Sequence, residues 1–310
     1  MKSVSLTIVN ILLFFYLLLI YIYLNINMFA SLPLSKKLPH IAPIFPVYFV
    51  ITEVIFTMTY YIILNKSSSI ILKLPSIIIF LPLALMVIVT HLKSMLTPPG
   101  YVPIPFRLMK STAKDNNSDT YCKKCNNHRP PRAHHCKICG KCTLKMDHHC
   151  PWVANCVGFK NQKNFYQFLF YATTGDAIAA LFLMIRLLTL NYSIRSYVPI
   201  GTRVTNPFQL MYYMWEPIQT FTGFACALAM TISIGTLFKK QTEMLFNNQT
   251  TIDAKMYPDW ENGPYYEKDK WKSFESVMGK GLFEWISLKF EGVDPFHFEK
   301  VKAYTHLDEV

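Results

Sequence analysis

Apolar positions along this chain gather into five blocks, each long enough for the roughly 20 helical residues that cross a bilayer. They are Val4–Leu24, Pro46–Leu64, Ile70–Leu92, Phe165–Leu190 and Pro217–Phe238. Between the third and fourth blocks the pattern breaks into a polar stretch dense in cysteine, histidine and lysine. After Lys240 no apolar run is long enough to span. Within that tail, Leu282, Phe283, Ile286 and Phe290 share one helical face with Trp285 beside it. Such a face fits a helix on the membrane surface, packing on the cysteine-rich part, or ordinary core packing. The pattern predicts an all-α polytopic membrane protein of four to five transmembrane helices. Its parts are residues 1–95 with three spans, 96–164 between spans, 165–240 with two spans, and a tail at 241–310. Met1 and Lys2 before the first block also fit a signal sequence. The block is longer than a usual signal core and no small-x-small site closes it, which favours an uncleaved span.

Charge sets the orientation. The 310 residues are 52% hydrophobic and only 16% charged, yet carry a net charge of +12. Apolar blocks of this length argue against nucleic acid as the partner of that charge. Basic residues collect on the cytosolic side of membranes. Leu96 to Asn164 holds twelve Lys or Arg against three acids, and Lys239 and Lys240 close the last block, so both segments are expected in the cytosol. Lys36 and Lys37 put the first loop there too, which leaves the N-terminus lumenal. Of the sequons at Asn65, Asn116, Asn191 and Asn248, only Asn65 and Asn191 are then lumenal, and Asn65 lies close to the membrane.

Seven of the eight cysteines lie between Cys122 and Cys156, interleaved with histidines. An odd number in one reduced, cytosolic cluster suits metal and a spare thiol better than disulfides. Cys122/Cys125 and Cys136/Cys139 are C-x2-C pairs of the kind that bring two sulfurs to one tetrahedral zinc. Two closed sites take eight ligands; six cysteines and two histidines supply them and one cysteine remains. A purely structural zinc scaffold has no use for it. Cys150 follows Asp147, His148 and His149, the parts of a thiol, base and orienting carboxylate. Spacing leaves open which of His148 and His149 serves Cys150 and which binds metal, because neighbouring side chains on a strand face opposite ways.

The run Asp147-His148-His149-Cys150-Pro151-Trp152, followed by Asn155-Cys156-Val157-Gly158, Asn161 and Phe165, resembles the cysteine-rich domain of DHHC protein S-acyltransferases (palmitoyltransferases). The resemblance implies a small cytosolic zinc-binding domain of short β-hairpins. It implies one zinc on Cys122, Cys125, His135 and Cys142 and a second on Cys136, Cys139, His149 and Cys156, both structural. Cys150 would be the acylated nucleophile, His148 its base and Asp147 the partner of that base. Acyl-CoA, with palmitoyl-CoA expected, would be the co-substrate, and cysteine-containing proteins at the bilayer the acceptors. An accessory subunit is compatible with the pattern, and an endomembrane (Golgi or ER) or the plasma membrane is the expected location. Four spans are usual in the family, so blocks two to five would correspond and the first would be an addition. Pro98-Pro99-Gly100 stands where the family has Asp-Pro-Gly, and Thr250-Thr251-Ile252-Asp253 where it has Thr-Thr-x-Glu. Ser273 takes the place of a usual asparagine.

Such an enzyme needs a dry place for its acyl chain, since each buried methylene contributes about 0.8 kcal/mol. Gly175 in the fourth block would leave room for a longer chain, although close helix packing also favours glycine. Arg129, Arg132, Lys137, Lys141 and Lys145 are candidate partners for CoA phosphates, although for each taken singly a solvated or headgroup-facing charge is the favoured reading. Asp176, in mid-span, could pair with Thr173 or Thr174 or line the acyl cavity, and a satisfied interhelical polar contact is the favoured expectation. Glu53 and Glu216, nearer their span ends, are more easily hydrated. His128 and His134 read as surface or outer-sphere residues and Cys226 as an apolar filler.

Overall fold

The computed structural model describes residues 42–64, 70–102, 121–190, 206–207, 209 and 214–289. The first apolar block, Lys36 and Lys37, the sequons at Asn65, Asn116 and Asn191, and Phe290 lie outside the described residues. Contacts divide the chain into two compact units, one drawn from 1–88 and 169–236, the other from 89–168 and 237–310.

The first unit is helical. Helix α1 (Ile44–Thr57) widens into a π-helical stretch over Met58–Leu64. Helix α2 (Ile70–Pro75) passes through a π-helical turn at Ser76–Phe80 into α3 (Leu81–Leu96). Pro75 lacks an N–H and crowds the preceding turn, so the wide turn after it has a local cause. Helices α4 (Gln162–Thr189) and α5 (Trp215–Phe246) follow. Three helical stretches, Lys73–Leu96, Gln162–Thr189 and Trp215–Phe246, are long and apolar enough to cross a membrane, and Phe45–Tyr60 is a shorter apolar helix. At 1.5 Å per residue the shortest of the three extends about 36 Å, against a hydrocarbon core of about 30 Å.

The core of this unit joins Val54, Met58, Ile62, Phe80 and Ala84 to Ala179, Ala180, Leu183 and Ala227. Large residues such as Ile78, Leu85, Leu188, Phe221 and Ile232 point outward, which in lipid carries no hydrophobic penalty. Association between such helices rests instead on small residues and polar contacts. Gly223 of α5 lies so close to Thr57 of α1 that a Cβ there would sit 2.6 Å from the threonine methyl. Glu53 accepts from Gln219 Nε2 at 2.5 Å, and Arg186 pairs with Glu216. Both acids therefore have partners within the helical unit. Asp176 differs from expectation, for it makes no hydrogen bond among the described residues, and the nearby Thr173 hydroxyl is buried without one. A methyl at Gly175 would meet Leu83 at 3.9 Å, an ordinary contact, so close packing does not require glycine there.

The second unit contains three two-stranded antiparallel hairpins: β1 (Tyr121–Cys122) with β2 (Asn127–His128), β3 (His134–Cys136) with β4 (Lys141–Thr143), and β5 (His148–Cys150) with β6 (Asn155–Val157). Short helices α6 (Thr251–Met256), α7 (Lys270–Met278) and α8 (Leu282–Ile286) follow α5. α5 does not end at Lys240 but runs to Phe246, because Gln241, Met244 and Leu245 are buried in this unit. Phe274, Val277 and Met278 of α7 pack with Tyr166 and Leu245. Leu282, Phe283 and Ile286 are exposed, which removes core packing as the reason for that apolar face. Ser273 is buried with its hydroxyl unpartnered, and the tail is held by other groups. Lys163 Nζ donates to the Glu284 and Lys289 carbonyls at 2.6 and 3.0 Å, Gln167 to those of Trp285 and Ser287, and Lys93 to that of Leu288.

Gly223→Val should lower the thermal midpoint of detergent-solubilised protein by several degrees, since overpacking costs about 1–3 kcal/mol. Gly235→Ala, whose added Cβ would meet the Thr173 methyl at 3.4 Å, should leave the midpoint within a degree or two. Fluorescence-detected melting of the two variants side by side checks this.

Candidate active site and metal centres

The three hairpins bring eight Cys and His side chains into two groups. Cys122, Cys125, His135 and Cys142 form one, and Cys136, Cys139, His149 and Cys156 the other, with the ligand atoms of each group within 4.8 Å of one another. Hairpin register explains the sorting. His135 lies opposite Cys142 across β3–β4, and His149 opposite Cys156 across β5–β6, so each cross-strand pair faces one group. His135 and Cys136 are neighbours on one strand and point to opposite faces, one to each group. Cys125 lies in the turn joining β1 to β2.

Both groups suit zinc. Arms of about 2.3 Å at tetrahedral angles give ligand separations near 3.7 Å. Cys125 Sγ lies 3.2 Å from His135 Nδ1 and 3.6 Å from Cys142 Sγ. In the second group Cys139 Sγ lies 3.4 Å from His149 Nδ1 and 3.5 Å from Cys156 Sγ. Three thiols and one imidazole at such spacing form a donor set for a borderline-soft divalent ion. His134 and His128 belong to neither group.

Strand alternation also separates the two histidines that spacing left open. His149 points to the second group, while His148 and Cys150, two residues apart on β5, share the opposite face. Cys150 is buried and stands outside both groups. His148 Nδ1 lies 2.7 Å from Asp147 Oδ2, and its ring meets Phe165 edge-on at 5.5 Å. Burial by itself would lower the pKa of His148. The Asp147 hydrogen bond and charge, together with Cys150, outweigh it and hold His148 up at about 9.

Asp147 is 2% exposed and must be paid for by donors. It receives the Thr251 N–H at 2.5 Å on Oδ1 and Gln241 Nε2 at 3.0 Å on Oδ2, besides His148. Burial would raise its pKa, but His148 and the Thr251 N–H hold the carboxyl below its ordinary range. Gln241 had no signal in the sequence because it lies just past the two lysines taken as the end of a span. Thr251 lies in the Thr-Thr-x-Asp run, whose role is now visible. Thr250 and Asp253 form a reciprocal capping box at the start of α6. Asp253 Oδ2 also accepts from Arg132 Nη2 and Nε at 2.5 and 3.1 Å.

That ion pair corrects one expectation. Arg132 is 8% exposed, also donates to the Asn248 side chain and carbonyl, and sits over the Tyr265 ring at 5.1 Å. It is committed to the tail and unavailable to phosphate. Asn248 is buried in the same network, which excludes its sequon in this fold. Lys141 lies over the Tyr101 ring at 4.8 Å.

The loop after Cys150 is tied to the end of α3. Helix ends leave carbonyls without intrahelical partners. Asn155 Nδ2 donates to the carbonyls of Ser94, Met95 and Thr97 at 3.2, 3.1 and 2.9 Å. Asn161 adds bonds to Ser94 and Cys156 and accepts the Gly158 N–H. Gly158 can carry no side chain, because a Cβ would sit 2.5 Å from the Thr143 methyl.

Comparison with known proteins agrees with this geometry. The family model described as DHHC palmitoyltransferase matches residues 115–257. "Probable protein S-acyltransferase 13" of Arabidopsis thaliana is 31% identical over 222 residues, covering 66% of this chain and 68% of that protein. "Probable protein S-acyltransferase 14" of the same plant is 30% identical over 224 residues, covering 65% and 67%. "Palmitoyltransferase ZDHHC7" of Mus musculus is 30% identical over 203 residues, covering 64% and 61%.

Removing one partner of a buried ion pair costs about 3–5 kcal/mol, and replacing both with apolar residues costs much less. Asp253→Ala should therefore lower the thermal midpoint more than the Arg132→Met/Asp253→Leu double variant does. Melting curves of the two proteins, recorded with wild type, check the order.

Proposed function

Because this chain belongs to the DHHC palmitoyltransferase family, we propose that it is a protein S-acyltransferase in which Cys150 carries the acyl group. The observation that supports this reading most directly is the face that Cys150 shares with His148, away from His149 and outside both metal-type groups. His148 is its base and Asp147 the group that orients and charges the imidazole. The eight residues of the two groups hold zinc, one ion to each. Bound zinc in closed four-ligand sites supplies folding stability to hairpins too short to stand alone.

The reaction runs in two exchanges. His148 takes the proton of Cys150, and the Cys150 sulfur attacks the carbonyl carbon of acyl-CoA. A new carbon–sulfur bond forms at Cys150, the bond to the CoA sulfur breaks, and the departing CoA thiolate takes the proton from His148. A cysteine of the acceptor protein then loses its proton to His148 and attacks the acyl-Cys150 carbonyl. Cys150 leaves as the thiolate and is reprotonated. A thioester is exchanged for a thioester each time, so little bond energy changes and positioning supplies most of the rate. Asp147 keeps one ring nitrogen occupied, so the other is directed at the sulfur.

The acyl donor is palmitoyl-CoA or a close relative, its chain lodged among the spans. The chain crosses the membrane four or five times, with residues 96–164 and the tail after 240 in the cytosol, where CoA and the acceptor cysteines are found. The basic excess of residues 96–164 supports that side. The four parts, 1–95, 96–164, 165–240 and 241–310, are then membrane, zinc-domain, membrane and tail segments of an endomembrane or plasma-membrane enzyme.

With labelled palmitoyl-CoA, Cys150→Ser should keep two zinc ions per chain and lose the hydroxylamine-sensitive label. Persistence of the label at wild-type level would overturn the nucleophile assignment. Cys139→Ser should instead lose one zinc by elemental analysis and reduce the yield of folded protein. Undiminished metal content would remove Cys139 from the ligand set.

A further inference from the structure

The reading of Cys150 as nucleophile makes no use of His91, a buried, chemistry-bearing side chain. His91 lies near the end of α3 and is 0% exposed. Its Nε2 is 3.1 Å from the backbone oxygen of Trp152, and its ring meets Phe168 edge-on at 5.0 Å. A carbonyl oxygen only accepts, so the proton of this bond is on His91 Nε2. Trp152 is the middle residue of the one-turn 3-10 segment Pro151–Val153 that follows Cys150 directly. The turn closes at Ala154 in the left-handed region, φ 45°, and leads into Asn155, which pairs with Cys150 across the hairpin. Asn155 is bound to the α3 carbonyls, so the turn is fastened to α3 at its far end by Asn155 and at its middle by His91.

From this geometry we infer that His91 is a positioning residue for the acyl transfer at Cys150: its Nε2–H holds the Pro151–Val153 turn against α3 and so sets where the sulfur stands relative to His148. The inference rests on the reading of Cys150 as nucleophile. Without the His91 bond, the Trp152 carbonyl loses its donor in a part-buried setting and the turn can relax away from α3. A displacement of about 1 Å at a nucleophile can lower a rate on the order of a hundredfold.

Phenylalanine at 91 keeps a ring against Phe168 but removes the donor. Glutamine has an Nε2–H at nearly the same distance from the backbone and removes the ring. The test uses the full-length, zinc-loaded protein in detergent and labelled palmitoyl-CoA, read as single-turnover acylation. His91→Phe should lower the rate constant at saturating donor about tenfold or more, with the half-saturating donor concentration and the zinc content unchanged. His91→Gln should return the rate to within about threefold of wild type. A wild-type rate in His91→Phe overturns the inference, as does an equal loss in both folded, zinc-loaded variants, which would reduce the role of His91 to packing. If His91→Phe does not accumulate, His91→Gln decides: retention of the rate supports the inference, and a tenfold loss overturns it. Cys150→Ser run in parallel keeps the two claims apart, because label on that variant defeats the nucleophile reading whatever the His91 variants show.

Discussion

An extended strand turns successive side chains to opposite faces, and three residues of β5 put this rule to use. His149 goes to a cluster of three thiols, while His148 and Cys150 face away from it. If β5 slipped by one residue against β6, His149 would leave its cluster and Cys150 would face it. Register on so short a strand is held by its surroundings: the His149–Cys156 pair, the Asp147 N–H bonded to the Val157 carbonyl, and the Asn155 amide on the end of α3. The same alternation divides His135 from Cys136 one hairpin earlier. Two metal-type groups can therefore be interleaved along one short stretch without sharing a ligand.

Burial raises the stakes for every polar group around this strand. Asp147 gathers donors from its own neighbour His148, from Gln241 of α5 and from the backbone at the start of α6. Those last two groups lie about a hundred residues away, so the tail takes part in orienting the imidazole. Arg132 and Asp253 keep that arrangement in place, since Asp253 both caps α6 and accepts the guanidinium. The lysines Lys93 and Lys163 do related work further on, each spending its ammonium protons on backbone carbonyls of the tail. The basic character of the chain is thus partly structural, and not all of it is available to anionic ligands or headgroups.

The helical unit follows a different logic. Its outward residues are as apolar as its inward ones, so contact depends on shape and on a few polar pairs. Gly223 against Thr57, Glu53 with Gln219 and Arg186 with Glu216 supply these.

The linear chain already carried the apolar blocks, the count of ligand-type residues with one thiol to spare, and the motif around Cys150. Each of these is a matter of residue type and local spacing, which hold whatever the chain does elsewhere. Blocks two to five correspond to helices, while the first lies outside the described residues. Only the tertiary structure turns His148 and His149 to opposite faces, because that depends on a strand and its register. It alone brought Gln241 and the Thr251 N–H to Asp147, turned Arg132 away from solvent and set His91 under the Trp152 carbonyl. Those contacts join residues some sixty to 120 positions apart, and no pattern of neighbours along the chain records a meeting that only folding produces.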